Sequence, residues 1–174
     1  MVVAFAAVQI RPRRDDDLDD LVGIAAAVQA DSGYPHRSVT DLAAFVARPG
    51  AALAAWVAED GGEVVGHVAL HPTGSKEMST VVRAAIGDGV PFGVVSRLFV
   101  SPAVRRRGTG RVLLETCTAD ALARDLVPVL DVSIHFGPAN ALYRACGYEP
   151  IGTASVPLRD GIVFEENVYR FVGG

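Results

Sequence analysis

The sequence predicts an α/β fold, a mixed β-sheet flanked by helices, in the order β-α-α-β-β-(helical insert)-β-α-β-α-β-β. Three observations carry this. Short apolar runs of strand type alternate with stretches of helical period such as Arg111 to Arg124. Asp60-Gly61-Gly62 between two strand-like runs is a hairpin signal that sets those runs side by side and antiparallel. A turn rich in arginine and glycine, Arg105-Arg106-Arg107-Gly108-Thr109-Gly110, joins an apolar strand to an amphipathic helix.

Ala4 to Ile10 reads as the first strand. Asp15, Asp16, Asp17, Asp19 and Asp20 then crowd the start of a helix with apolar positions Leu18, Leu21, Val22, Ala25 and Val28. Carboxylates there complement the helix dipole, and without alternating ligand spacing the cluster reads as a solvated helix start. Ser38 with Asp41 resembles a capping box for a second helix presenting Val39, Leu42, Phe45 and Val46, and Pro49-Gly50 stops it. Between the helices, Gly33-Tyr34-Pro35-His36-Arg37 is a polar, aromatic loop suited to touching a substrate or to connecting. Leu53 to Glu59 and Glu63 to His71 are the hairpin strands. Pro72 to Gly93 reads as an insertion with a short helical pattern through Met78, Val81, Val82, Ala85 and Ile86. Val94 to Val100 is the next strand, and the helix after the arginine-glycine turn sends Leu113, Leu114, Cys117, Ala121 and Leu122 toward a core. Val129 to Ile134 alternates, with Val129, Asp131 and Ser133 on its less apolar face. Pro138 to Cys146 is a short helix ended by Gly147. Tyr148 to Ala154 and Phe164 to Phe171 close the sheet around a loop at Arg159-Asp160-Gly161.

At 174 residues the chain fits a single domain spanning 1–174, and half of its residues are apolar. A formal charge of −4 argues against general binding to nucleic acid, although Arg105, Arg106, Arg107 and Arg111 focus positive charge at one place. No apolar run approaches the roughly 20 residues of a bilayer span, and no secretory signal is evident, so no membrane partner and a cytoplasmic location are expected. The two cysteines, Cys117 and Cys146, fit no metal-ligand spacing and read as packed thiols. His67 and His71, about 13 Å apart at strand rise, cannot share one metal, and no metal is expected.

Strand, arginine-glycine turn and helix together describe an anion cradle. Glycines let the backbone approach a ligand, and the first-turn N–H groups of a helix point at whatever lies there. A Rossmann fingerprint fails because Leu113 stands where its third glycine belongs, and no Gly-Lys-Ser/Thr occurs.

Arg105, Gly108 and Gly110 match the Gln/Arg-x-x-Gly-x-Gly/Ala pattern, and the region resembles the acetyl-CoA pyrophosphate loop of the GNAT superfamily of N-acetyltransferases. Leu98-Phe99-Val100-Ser101-Pro102 and the run Ala139 to Tyr148 are similar to that superfamily's cofactor and catalytic segments, and the element order is GNAT-like. The resemblance is specific from Val94 to about Gly152 and architectural elsewhere. It implies acetyl-CoA as co-substrate, held by Leu98, Phe99, Val100, Arg105, Arg106, Arg107, Gly108, Thr109, Gly110 and Arg111. It also implies transfer of the acetyl group to a primary amine of a small molecule or peptide by direct attack. Tyr143 occupies the place where family members keep a tyrosine that serves the leaving thiolate. The asparagine often found seven positions before that tyrosine is replaced by Phe136, and Asn140 lies off the pattern. For the general base, Asp131, His67 and a water chain all stay open. An inactive acyl-CoA-binding or regulatory module of the same fold is the alternative. Acceptor identity has no recognisable pattern around Tyr34 to Arg37, Pro72 to Gly93 and Val156 to Val163, and a homodimer through the C-terminal strands or the insert is compatible with the fold.

Overall fold

In the computed structural model, which describes residues 8–47, 52–158 and 161–173, the chain forms the predicted succession of strands and helices. These are β1 (Gln9–Pro12), α1 (Leu18–Ser32), α2 (Leu42–Val46), β2 (Ala54–Asp60), β3 (Glu63–His71), α3 (Lys76–Ile86), β4 (Phe92–Val100), α4 (Thr109–Ala123), β5 (Val127–Ser133), α5 (Gly137–Ala145), β6 (Tyr148–Pro157) and β7 (Val163–Phe171). Short 3-10 turns at Asp15–Asp17 and Pro102–Val104 precede α1 and α4. The strands run β1-β2-β3-β4-β5-β7-β6 in a mixed, mostly antiparallel sheet. β4 and β5 are parallel, with Phe92, Gly93 and Val94 opposite Val127, Pro128 and Val129, so their connection must cross over, and α4 makes that crossing. The last hairpin places β7 beside β5, from Val129↔Arg170 to Ser133↔Glu166, and leaves β6 outside it. Ala4 to Ala7 of the expected first strand, the Pro49-Gly50 stop and Arg159-Asp160 lie outside the described residues.

Two compact units divide the chain, Met1–Ala69 with Arg97–Cys117, and Leu70–Ser96 with Thr118–Gly174. In the first, Leu21, Ala25 and Val28 stand on one face of α1 at helical spacing and pack with Val46, Val57 and Phe99. Gly33, at φ +78°, ends α1 and returns its N–H to the Gln29 carbonyl. The aspartate cluster is not wholly a solvated helix start. Asp17 is buried, accepts from Arg11 Nη1 and Nη2 at 2.9 and 2.7 Å, and accepts from the Arg14 N–H at 2.7 Å. Those hydrogen bonds from Arg11 hold its carboxyl below the usual range.

The cap of α2 also differs from expectation, since Asp41 rather than Ser38 accepts the Ala44 N–H, at 2.9 Å. The reason lies in α1. Gln29 Nε2 reaches the carbonyls of Pro35, His36 and Val39 at 3.1 to 3.2 Å, which commits those carbonyls to a loop and delays the helix to Leu42. The Ser38 hydroxyl pairs instead with His36 Nδ1 at 2.9 Å.

In the second unit the insert is a core element. Met78 and Val82 of α3 pack with Val94, Val129, Ala154 and Val168. Ser75 caps this helix through the Met78 N–H at 3.1 Å, and a Cβ at Gly152 would meet Val81 Cγ1 at 2.7 Å, so only glycine permits so close an approach.

Candidate active site

In the first unit, β4 contains an irregularity. Arg97 has φ +54°, in the left-handed region that non-glycine residues avoid. Its carbonyl accepts a hydrogen bond from His67 Nδ1 at 2.9 Å, which places the proton of that nitrogen on His67. His67 is 1% exposed and stacks on Phe99 with centroids 5.3 Å apart. A buried imidazole holding a strand carbonyl is a clamp on β4, and its geometry speaks for positioning rather than for a general base. Phe99 itself belongs to the first core, so its backbone is the part that a ligand could meet, whereas Leu98 and Val100 are half-buried.

The arginine-glycine turn follows. Arg106 and Gly108 both take left-handed backbone, at φ +67° and +82°, and the Val112 N–H bonds the Gly108 carbonyl at 3.1 Å, so α4 begins at Thr109 rather than at Arg111. Nothing lies within 4 Å of a Cβ built on Gly108. Glycine is therefore required here by conformation, and the space beside it is open. The N–H groups of Thr109, Gly110 and Arg111 form the first turn of α4, where no intrahelical acceptor exists. The Thr109 side chain is buried. Three arginine side chains hold carboxylates, Arg105 with Asp31, Arg107 with Asp60 at 3.4 Å and Arg111 with Glu115 at 3.6 Å. Among the described residues Arg106 is the arginine of this loop without such a pair.

The second unit holds Tyr143, on α5. It is 9% exposed, with its ring 6.3 Å from Tyr148 and 6.1 Å from Tyr169. Tyr148 shares a hydrogen bond with Thr118 Oγ1 at 2.6 Å, and the Tyr169 hydroxyl donates to Asn140 Oδ1 at 2.7 Å. Burial first, then the negative charge of Asp131, pushes the Tyr143 phenol well above its ordinary value, so it keeps its proton through the neutral range. Asn140 is not an exposed helix residue. Its amide nitrogen donates to the Ser133 and Phe136 carbonyls at 3.0 and 2.8 Å while its oxygen accepts from Asn167 at 2.9 Å as well as from Tyr169. That amide ties α5 to β5 and β7. Cys117 is buried in α4, and Cys146 is half-buried at the end of α5.

Sequence reading missed one partner here, Glu166. The β5–β7 register sets Asp131 opposite Val168 and Ser133 opposite Glu166, so the two carboxyls lie diagonally on one face and hydrogen-bond to each other. Burial raises both, Glu166 from 4.5 to about 8, so the pair keeps a shared proton well above the ordinary carboxylate range. A raised acid destabilises the fold as pH climbs from its unfolded to its folded value. Stability is therefore expected to fall between about pH 4.5 and about pH 8. Glu166→Gln should flatten that part of a Tm-against-pH curve by a few degrees, and curves that stay parallel to wild type would refute the pair.

Against known proteins, the model of the acetyltransferase (GNAT) family matches residues 15–148. The chain belongs to the GNAT acetyltransferase family. No curated protein matches it significantly. Solved structures share the fold. Ribosomal-protein-alanine N-acetyltransferase from Brucella melitensis is 24% identical with a TM-score of 0.69, over 94% of this chain and 99% of that one. Arabidopsis thaliana NAA60 in complex with acetyl-CoA is 21% identical with a TM-score of 0.70, over 95% and 98%. The yncA structure from Salmonella typhimurium, with its cofactor acetyl-CoA, is 20% identical with a TM-score of 0.68, over 95% and 94%.

The acyl donor of this GNAT chain is acetyl-CoA. Its residues fit that group: the open space at Gly108 and the first-turn N–H groups of α4 offer an anion the contact that a pyrophosphate needs. Among the described residues no helix is long and apolar enough to cross a membrane, and no three His, Cys, Asp or Glu side chains gather as a metal site.

Proposed function

We propose that the chain transfers the acetyl group of acetyl-CoA to a primary amine by direct attack. Support for the donor side comes from the Arg105 to Gly110 turn, where the backbone N–H groups of Thr109, Gly110 and Arg111 carry the contact to the pyrophosphate. Arg106 adds charge, Arg105 and Arg107 tie the turn to Asp31 and Asp60, and Arg111 pairs with Glu115 along α4. Backbone groups of Leu98, Phe99 and Val100 in β4 bind the pantetheine arm and polarise the acetyl carbonyl. Bound acetyl-CoA supplies the acyl group and a thiol leaving group.

On the chain's side, the observation that carries the reading is a buried tyrosine that stays protonated, Tyr143. The amine nitrogen forms its bond to the carbonyl carbon, the carbon–sulfur bond breaks, and the Tyr143 phenol gives its proton to the departing sulfur. The proton lost by the amine goes to the Asp131–Glu166 pair or to water and from there back to the Tyr143 phenolate, which restores the phenol. No covalent enzyme intermediate is required. Incubation with acetyl-CoA and a mixed amine panel, followed by thiol release and mass spectrometry of the acceptors, is expected to show acetylated amine. Bound acetyl-CoA without any thiol release would instead indicate an acyl-CoA-binding module.

A further inference from the structure

Asn140 stands three residues before Tyr143, off the family pattern, and neither gives nor takes a proton in the transfer. The helix that carries both, α5, has nine residues, and its N-cap residue Phe136 gives it no side-chain cap. So short a helix is marginal by itself, and tertiary contacts must set how it lies on the sheet.

The Asn140 amide makes the directional part of that contact. Ser133 and Phe136 offer it carbonyls at 3.0 and 2.8 Å, and carbonyls only accept, so the nitrogen faces them. Its oxygen is left for Asn167 Nδ2 at 2.9 Å and the Tyr169 hydroxyl at 2.7 Å, both of which donate. Both N–H groups and both oxygen lone pairs are thereby used. One side chain joins the end of β5, the start of α5 and two residues on one face of β7.

Tyr169 is the wall behind Tyr143. Its hydroxyl goes to Asn140, its ring lies 6.1 Å from the Tyr143 ring, and Arg144 Cζ stands 5.8 Å from its centroid. Residues 140, 143 and 144 share a helix face, so one side of α5 grips a single fully buried ring. Ring contacts tolerate sliding, whereas hydrogen bonds weaken steeply when bent. A roll of α5 would therefore break the Asn140 bonds first, and it would swing the Tyr143 hydroxyl, at the far end of its ring, furthest.

We propose that Asn140 is a positioning residue for acetyl transfer, which fixes the roll of α5 against β5 and β7 and so the aim of the Tyr143 phenol. This rests on the reading of Tyr143 as proton donor to the leaving sulfur. The effect of Asn140 reaches the reaction only through Tyr143.

The test is a double-mutant cycle on the full chain. Turnover is read as thiol release from saturating acetyl-CoA with the mixed amine panel at fixed concentration, and Tm and acetyl-CoA affinity are measured for every variant. Asn140→Ala should lower turnover about tenfold or more, a loss that a small misplacement of a reacting group suffices to cause, while acetyl-CoA affinity changes by less than about twofold. In a Tyr143→Phe background no phenol remains to be aimed. There the same substitution should change turnover by less than about twofold, although it should lower Tm as much as it does alone. Tyr169→Phe keeps the ring and removes only the hydroxyl, so it should repeat the pattern at about threefold, and it carries the cycle if Asn140→Ala does not fold. Unaltered turnover in these variants, or an equal proportional loss with and without the Tyr143 phenol, would overturn the positioning role and leave Tyr143 in place. Acetyl-CoA binding without thiol release in wild type, or unaltered turnover in Tyr143→Phe, would overturn the Tyr143 reading and the positioning role together.

Discussion

Tyr143→Phe is expected to lower kcat at least about a hundredfold, with acetyl-CoA affinity changed by less than about twofold. The substitution removes a single hydroxyl and keeps the ring that packs 6.3 Å from Tyr148 and 6.1 Å from Tyr169. Packing area barely changes, so a loss of turnover reports the proton rather than the fold. The surroundings explain why this phenol and not its neighbours is assigned the role. Tyr148 and Tyr169 are engaged by Thr118 and Asn140, at 2.6 and 2.7 Å. Tyr143 lies among them with its proton held by burial. A leaving thiolate needs a donor still protonated at neutral pH, which the Tyr143 phenol is, and its hydroxyl is the one of the three not committed to Thr118 or Asn140. Unchanged kcat in the variant would remove Tyr143 from the mechanism.

Gly147→Ala is expected to cost about 3 kcal/mol of stability, and to lower Tm by roughly 10 °C. Gly147 has φ +81° immediately after α5, and a Cβ there would stand 2.6 Å from the Gly173 carbonyl oxygen and 2.8 Å from its carbon. Both obstacles are backbone, which cannot rotate away as a flexible side chain can. Relief requires moving the chain beyond β7, and the Val172 N–H that donates to the Gly147 carbonyl at 2.9 Å goes with it. Because α5 carries Tyr143, kcat should fall alongside Tm. A thermal melt within about 2 °C of wild type would contradict the geometry.

How much was legible in the sequence depended on how local each determinant is. The β2–β3 hairpin and the order of β4, turn and α4 follow from adjacent residues, Asp60-Gly61-Gly62 in one case and the arginines with Gly108 in the other. Tyr143 was singled out by a family pattern beside Gly147-Tyr148, whereas its burial among tyrosines was not legible. The cap of α2 was misread because Gln29, far back on α1, decides where Pro35, His36 and Val39 place their carbonyls. Asp17 looked like one more surface aspartate, and its burial with its bonds from Arg11 and the Arg14 N–H distinguishes it. Glu166 escaped for a similar reason, since a diagonal pair across β5 and β7 exists only once their register is set. Nothing in Ser96-Arg97-Leu98 signals a left-handed residue in mid-strand, so the clamp of His67 on the Arg97 carbonyl was out of reach. The helical insert was recognised, but its role as a core element of β4, β5, β6 and β7 required Gly152 and Val81 to be brought together.

The most direct test of the central claim is calorimetric titration of acetyl-CoA and of S-acetyl-pantetheine, which lacks the pyrophosphate, into wild type and Gly108→Ala. Gly108 has open space beside it, so alanine there disturbs the left-handed turn and occupies the cradle without striking protein atoms. Wild type should bind acetyl-CoA at least about a hundredfold more tightly than the fragment, and Gly108→Ala should weaken acetyl-CoA about tenfold or more while costing only about 1–2 kcal/mol of stability. Equal affinity for both ligands, or affinity for acetyl-CoA unaltered by Gly108→Ala, would mean that the arginine-glycine turn merely caps α4 and that the donor site lies elsewhere.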